Sequence, residues 1–155
     1  RPGWHAAVGR EHKAAREHAV LIDQSSFAKF RLTGRDAAKA LNRIAAGNID
    51  RATGHLTYTQ MLNRKGGIEC DLTVARLGPE EFHIVTGTGF ATHDFDWISR
   101  SLQGEAHLSD ITSAMAVLSL MGPKARDILS RHSPDDLSNT GFPFGTARWI
   151  TVANC

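Results

Sequence analysis

Two alternating runs separated by five turn residues constrain this chain more than anything else in it. Residues 56–62 and 68–77 both alternate apolar with polar side chains, the two-residue period of a strand with one buried face. Between them lies Asn63-Arg64-Lys65-Gly66-Gly67, where two glycines accept backbone angles that other residues resist. A connection this short forces the two strands to lie antiparallel. A second short turn, Gly78-Pro79-Glu80-Glu81, leads into a further alternating run at 82–86, which extends the pair into a meander.

The rest of the chain is read around that meander. Residues 6–19 carry helix formers with charges on most turns and predict an amphipathic helix. The run 20–24 is short and apolar, and 27–33 alternates as a strand. Residues 36–46 predict a helix with Ala37, Leu41 and Ile44 on one face, stopped at Gly47-Asn48. Further helices are expected at 90–102 and 123–131, with strands at 106–111 and 115–121. Residues 133–145 read as a loop. The alternation from Arg148 to the end reads as a last strand that needs a neighbour. One internal similarity stands out: Phe30-Arg31-Leu32-Thr33-Gly34 precedes a helix with Ala37, Leu41 and Arg43. Leu118-Ser119-Leu120-Met121-Gly122 precedes one with Ala125, Leu129 and Arg131, each 88 residues on. The fold class expected is α+β, with antiparallel sheets, packed helices and two related subdomains, 1–112 and an incomplete 113–155.

Composition excludes several partners. A formal net charge of +2 over 155 residues, with no basic run, gives no electrostatic footprint for nucleic acid. No apolar run approaches the ~20 residues a bilayer-spanning helix needs, so no membrane partner is expected. Cys70 and Cys155 form no metal or redox spacing, and two thiols without a disulfide framework suggest a reducing, cytoplasmic setting. The start Arg-Pro-Gly-Trp-His, without an initiator Met, reads as cut from something longer.

The stretch richest in chemistry runs from Tyr58 to Val74. Strict alternation places Ile68, Cys70, Leu72 and Val74 on one face and Glu69, Asp71 and Thr73 on the other. Two carboxylates two residues apart would repel and suit proton transfer; the alternative is an ordinary solvent face. Gly87-Thr88-Gly89 lacks the third glycine and the βαβ setting of a dinucleotide site, so a tight turn into a helix is expected. The 8 histidines lack metal-ligand spacing, and His93-Asp94 reads as a surface pair. No Gly-x-Ser-x-Gly nucleophile elbow is present. Trp97 reads as a core residue.

Four segments in order carry a family resemblance: Gly9-Arg10-Glu11-His12 with Leu21 to Phe30, then Tyr58 to Val74, Thr86 to Asp94, and Leu120 to Arg126 followed by Phe142 to Arg148. Together they resemble the folate-binding, aminomethyltransferase-type (glycine cleavage T-protein-like) domain of FAD-dependent dimethylglycine and sarcosine dehydrogenases. The resemblance implies a ferredoxin-like, T-protein folate-binding fold. It also implies a chemistry in which a flavin domain oxidises an N-methyl amine to an iminium, and tetrahydrofolate captures the one-carbon unit as 5,10-methylenetetrahydrofolate. Asp71, the acid ending Gly-Gly-Ile-x-x-Asp, is implied as the catalytic carboxylate. Phe27, Tyr58, Thr73, Val85 and Gly87 are implied with it as folate-lining positions. The family continues beyond this sequence with further folate contacts, and its FAD lies in an upstream domain, so little transferase activity is expected of this stretch alone. A non-catalytic scaffold built on the same fold, or a plain α+β interaction domain, remains the alternative.

Overall fold

The computed structural model describes residues 2–153. They form two compact units. The division differs from the expected 1–112 and 113–155: among the described residues the larger unit takes 25–116 with 145–148, and the smaller takes 2–24, 117–144 and 149–153. The reason is strand pairing. The first strand of the chain pairs with the last, which draws the N-terminal helix into the same unit as the C-terminal stretch.

The larger unit is a five-stranded sheet with two helices. Its strands are β2 (Ala28–Thr33), β3 (Leu56–Leu62), β4 (Ile68–Gly78), β5 (Glu81–Thr86) and β6 (His107–Asp110); β1 (Val20–Asp23) belongs to the smaller unit. The spatial order is β3-β4-β5-β2-β6, every neighbouring pair antiparallel. The expected meander is therefore present, and β2 is inserted between its last strand and β6. Helices α2 (Ala37–Ile44) and α3 (Ala91–Ser101) connect β2 to β3 and β5 to β6. Connections of this length let the chain cross the sheet on one face.

That face is the core. Phe30, Leu32, Leu41, Met61, Phe82, Ile84 and Ile98 are all fully buried in one cluster with Cys70, Leu72 and Val74. Each large side chain buried there stabilises by about 1.5–3 kcal/mol relative to exposure. Phe95 and Trp97 on α3 pack against this cluster, Phe95 meeting the Phe30 ring edge-on at 5.3 Å. The core reading of Trp97 holds in that sense.

The turns follow their residues. The Asn63 carboxamide oxygen accepts from the amides of Lys65 (2.9 Å) and Gly67 (3.0 Å), and Gly66 takes φ +81°. Gly47 does not end α2. The helix stops at Ile44, with Ala45 extended, and the Gly47 amide donates to Thr59 Oγ1 at 2.9 Å. A Cβ there would lie 3.1 Å from that oxygen, so close approach to β3 explains the glycine.

The smaller unit contains α1 (His5–Glu17), β1 (Val20–Asp23), β7 (Leu118–Met121) and α4 (Ala125–Leu129). β1 and β7 form an antiparallel ribbon, and no residue of α1 is fully buried. Among the described residues the expected terminal strand is absent. Thr146 makes a single bridge to His55, while further on the Thr151 amide donates to Asp135 and the Ala153 amide to the His132 carbonyl. Loop contacts satisfy this backbone, so its alternation has no strand to serve. Cys155 lies outside the described residues. Among those described, no helix is long and apolar enough to cross a membrane.

Candidate functional site

The sheet of the larger unit has an outer face, opposite α2 and α3, and it gathers the residues singled out in the sequence. Pairing registers place Tyr58 opposite Thr73, Thr73 opposite Val85, and Val85 opposite Lys29. Four strands thus contribute one side chain each to a single row, because residues at matched register share a face. The neighbouring row holds Gln60 opposite Asp71. Gly87 follows Thr86, and Phe27 precedes Ala28; these two partners are paired across β5 and β2, so Gly87 and Phe27 lie at the same end of the sheet. The outer face is open, with Tyr58 68% exposed and Phe27 36% exposed.

Asp71 is the best-held group on this face. Tyr58 donates its hydroxyl to Oδ2 at 2.9 Å, and Gln60 donates its amide nitrogen to Oδ1 at 3.0 Å. The hydrogen bond to Asp71 in turn holds the Tyr58 phenol above its ordinary range, since tyrosinate beside a carboxylate is disfavoured. The rim is also fixed. Lys29 is 4% exposed, and its ammonium donates to the carbonyls of Ser25 (2.7 Å) and Phe27 (3.0 Å). Thr88, in the short 3-10 turn Thr88–Phe90, donates its hydroxyl to the Ser26 carbonyl at 2.7 Å. Two anchors therefore hold the segment that presents Phe27. The Gly87-Thr88-Gly89 stretch is the tight turn expected.

Strict alternation fails at one point. β3 and β4 slip register between Met61 and Leu62, which pair with Cys70 and Ile68 and leave Glu69 as the extra residue of a bulge. Ile68 is accordingly 67% exposed rather than buried. Glu69 turns away from Asp71: one oxygen accepts from Asn63 at 2.8 Å, and the other lies 3.5 Å from His93 Nε2 on α3. The expected pair of carboxylates on one face is not formed, and Asp71 stands alone.

Nor is His93-Asp94 a surface pair. Asp94 is 1% exposed. It accepts from Thr86 Oγ1 at 2.5 Å and lies 2.9 Å from His93 Nδ1, locking α3 to β5. The Asp94 hydrogen bond raises the His93 pKa. Cys70, His93 and Asp94 bring one ligand-type atom each within 4.8 Å of one another. Burial pushes the Cys70 thiol up, and both Asp94 oxygens already have protein partners, so the corner serves as a closed lock between sheet and helix.

Sequence reasoning missed Gln60, Lys29 and Asp94. Gln60 was available from its two-residue spacing to Tyr58. Lys29, between Ala28 and Phe30, carried no signal because a charged residue there reads as exposed, and Asp94, beside His93, read as half of a surface pair.

Fold and face together define an α+β domain whose open sheet surface carries one braced carboxylate. Over residues 1–155 the chain matches the GCVT N-terminal domain family, and it belongs to that family. It is 40% identical over 155 residues to a 4-methylaminobutanoate oxidase (formaldehyde-forming) of Paenarthrobacter nicotinovorans, covering 99% of this chain and 19% of that protein. It is 32% identical over 157 residues to the mitochondrial dimethylglycine dehydrogenase of Homo sapiens, covering 99% of this chain and 18% of that protein. The chain thus spans about a fifth of the length of these relatives. Among solved structures, the glycine cleavage system aminomethyltransferase T of Bartonella henselae superposes with a TM-score of 0.70 at 27% identity, over 79% of this chain and 34% of that one. This is an aminomethyltransferase-like domain related to dimethylglycine and sarcosine dehydrogenases, and those homologues are enzymes.

Proposed function

We propose that the chain binds tetrahydrofolate on the outer face of the larger unit and serves one-carbon transfer, with Asp71 as the catalytic carboxylate. The observation that carries this reading is the Asp71 carboxylate, hydrogen-bonded at both oxygens, beside a row formed by Tyr58, Thr73 and Val85. A flat heterocycle bearing N–H groups fits such a surface: aromatic side chains stand at Tyr58 and Phe27, and the acceptor lies between. Gly87 leaves room for a ring where a side chain would stand.

Tetrahydrofolate supplies two nitrogens, N5 and N10, that exchange their hydrogens for a methylene bridge. The donor is the iminium of an N-methyl amine, supplied by the oxidation of that amine at FAD in a flavin domain. In the transfer two N–C bonds would form, the donor's C=N double bond would break, and both folate N–H protons would leave with the amine as its ammonium form. The role of Asp71 is to accept an N–H hydrogen bond, stabilise the positive charge that develops there, and relay the proton toward the amine. Tyr58 and the anchored Phe27 segment orient the ring, and Thr73 and Val85 form the floor. No residue of this chain is assigned to FAD. A cytoplasmic setting is part of this reading, supported by the free, buried thiol of Cys70.

Calorimetric titration with tetrahydrofolate tests it. The expected result is saturable binding that Asp71→Asn weakens roughly tenfold or more, because a hydrogen bond to a charged acceptor is lost. Undiminished affinity in Asp71→Asn overturns the assignment. Binding without transfer is the expected result for this stretch alone, and a longer protein carrying the flavin domain that binds folate yet transfers nothing favours the scaffold alternative.

A further inference from the structure

We propose that Gln60 is a positioning residue for Asp71, fixing the carboxylate so that its unused acceptor sites open toward β5. The inference rests on the folate reading of this face and adds the direction from which the ligand's N–H arrives.

The geometry is one-sided. Both donors to Asp71, Tyr58 Oη and Gln60 Nε2, stand on β3. Each carboxylate oxygen offers about two acceptor sites, so β3 fills one on each and leaves one on each. The open sites lie on the side away from β3. There the register, continued one step past Leu72 and Thr86, puts Gly87 just beyond the end of β5, with Val85, the partner of Thr73, diagonal to Asp71. Neither Val85 nor Gly87 carries a side-chain donor that could compete for them.

Both braces are neutral. They fix the carboxylate without placing a cation beside it, so neither brace competes with the ligand as a charged partner. An unbraced aspartate on an open strand would sample several side-chain rotamers. Two hydrogen bonds select one orientation before the ligand arrives, which avoids that ordering cost on binding. Tyr58 alone would hold one oxygen and let the group swing about it. Gln60 supplies the second point that defines the carboxylate plane. A ligand approaching over Val85 then meets acceptors already aimed at it, with its ring lying toward Gly87 and Phe27.

The chain has one tyrosine, so tyrosinate absorbance reports on Tyr58 alone. The experiment titrates four proteins with tetrahydrofolate by calorimetry and with alkali by absorbance: the native chain, Gln60→Leu, Gln60→Glu and Asp71→Asn. Gln60→Leu is expected to weaken binding about three- to tenfold, the scale of one hydrogen bond, with the melting temperature unchanged. The same change raises the Tyr58 titration midpoint, because the carboxylate then leans on the phenol alone. A purely structural glutamine would not move that midpoint. Gln60→Glu places a second carboxylate beside Asp71, and its binding defect shrinks as acid protonates the pair. Native affinity and a native Tyr58 midpoint in Gln60→Leu, with Asp71→Asn impaired, sink the Gln60 role and leave the folate reading standing. Native affinity in Asp71→Asn, or no binding by any of the four, overturns both.

Discussion

The two strand–glycine–helix segments have nearly the same backbone and very different surroundings. Gly34 and Gly122 take φ +128° and +123°. In each segment the glycine carbonyl accepts from the amide three residues on, Ala37 or Ala125, at 3.0 Å. In each, the amide two residues after the glycine donates to a carbonyl ahead of the neighbouring strand: Asp36 to Glu105 at 3.1 Å, and Lys124 to His18 at 2.9 Å. The neighbouring strands correspond too, β6 running antiparallel to β2 as β1 does to β7. Yet Phe30 is fully buried, while Leu118, 88 residues later, is 61% exposed. β2 has a strand on each side, whereas β7 pairs with β1 alone among the described residues. The glycine-centred turn is a local property of its few residues. Core depth is a property of the sheet around it.

The largest expected effect breaks the comparison at its burial. Phe30→Ala removes a fully buried ring in edge contact with Phe95 and should cost about 3–5 kcal/mol in urea unfolding. Leu118→Ala should cost under about 1 kcal/mol, as exposed positions do. Equal losses would mean that β7 is buried in solution as β2 is.

The next effect sharpens the comparison where the segments agree. A Cβ on Gly34 would stand 2.1 Å from the Glu105 carbonyl oxygen, and one on Gly122 would stand 2.6 Å from the His18 oxygen. Both replacements also strain a positive φ. Gly34→Ala and Gly122→Ala should each destabilise by roughly 1–3 kcal/mol, each melting its own unit first by hydrogen exchange. If Gly122→Ala is silent, the second turn is not held as the first is.

The smallest effect is on pH dependence and belongs to the larger unit, which holds both histidines with resolved perturbations. Hydrogen bonding to Asp94 holds His93 above its ordinary 6.5. Its contribution is therefore complete below pH 6.5 and lost as pH rises through the folded value. Burial holds His83 below 6.5, so its cost appears on acidification past 6.5. His93→Gln should remove the stability gained on moving from about pH 8 to about pH 6.5, and leave the acid-side loss from His83 intact. A variant whose pH–stability curve parallels the native one would remove His93 from the explanation.

Most of the fold was legible because the meander announces itself. Alternation and turn residues placed β2 to β5 within about two residues, and the equal offsets of Ala, Leu and Arg after Gly34 and Gly122 pointed to a motif whose geometry does recur. What failed depended on tertiary pairing. Nothing in residues 20–24 says that β1 pairs with β7, so the division of the chain was misplaced. Alternation after Arg148 mimicked a strand that the loop contacts of Thr151 and Ala153 replace. At the site, alternation put Asp71 and Thr73 on one face, and the pairing of β3 with β4 brings Tyr58 to it. Alternation could not foresee the bulge that turns Glu69 toward α3. Gln60 was overlooked because an amide on a strand's polar face looks ordinary until its partner is seen.

One measurement decides most directly whether the outer face is the binding surface. Backbone amide shifts of the isotopically labelled chain would be followed as tetrahydrofolate is added, a readout that also detects weak binding. The expected perturbations centre on Phe27, Tyr58, Gln60, Asp71, Thr73, Val85 and Gly87, and they diminish in Asp71→Asn. Perturbations centred instead on the helical side, around Arg43, Trp97 and Arg100, or none at all, would contradict the placement of the ligand and with it the role given to Asp71.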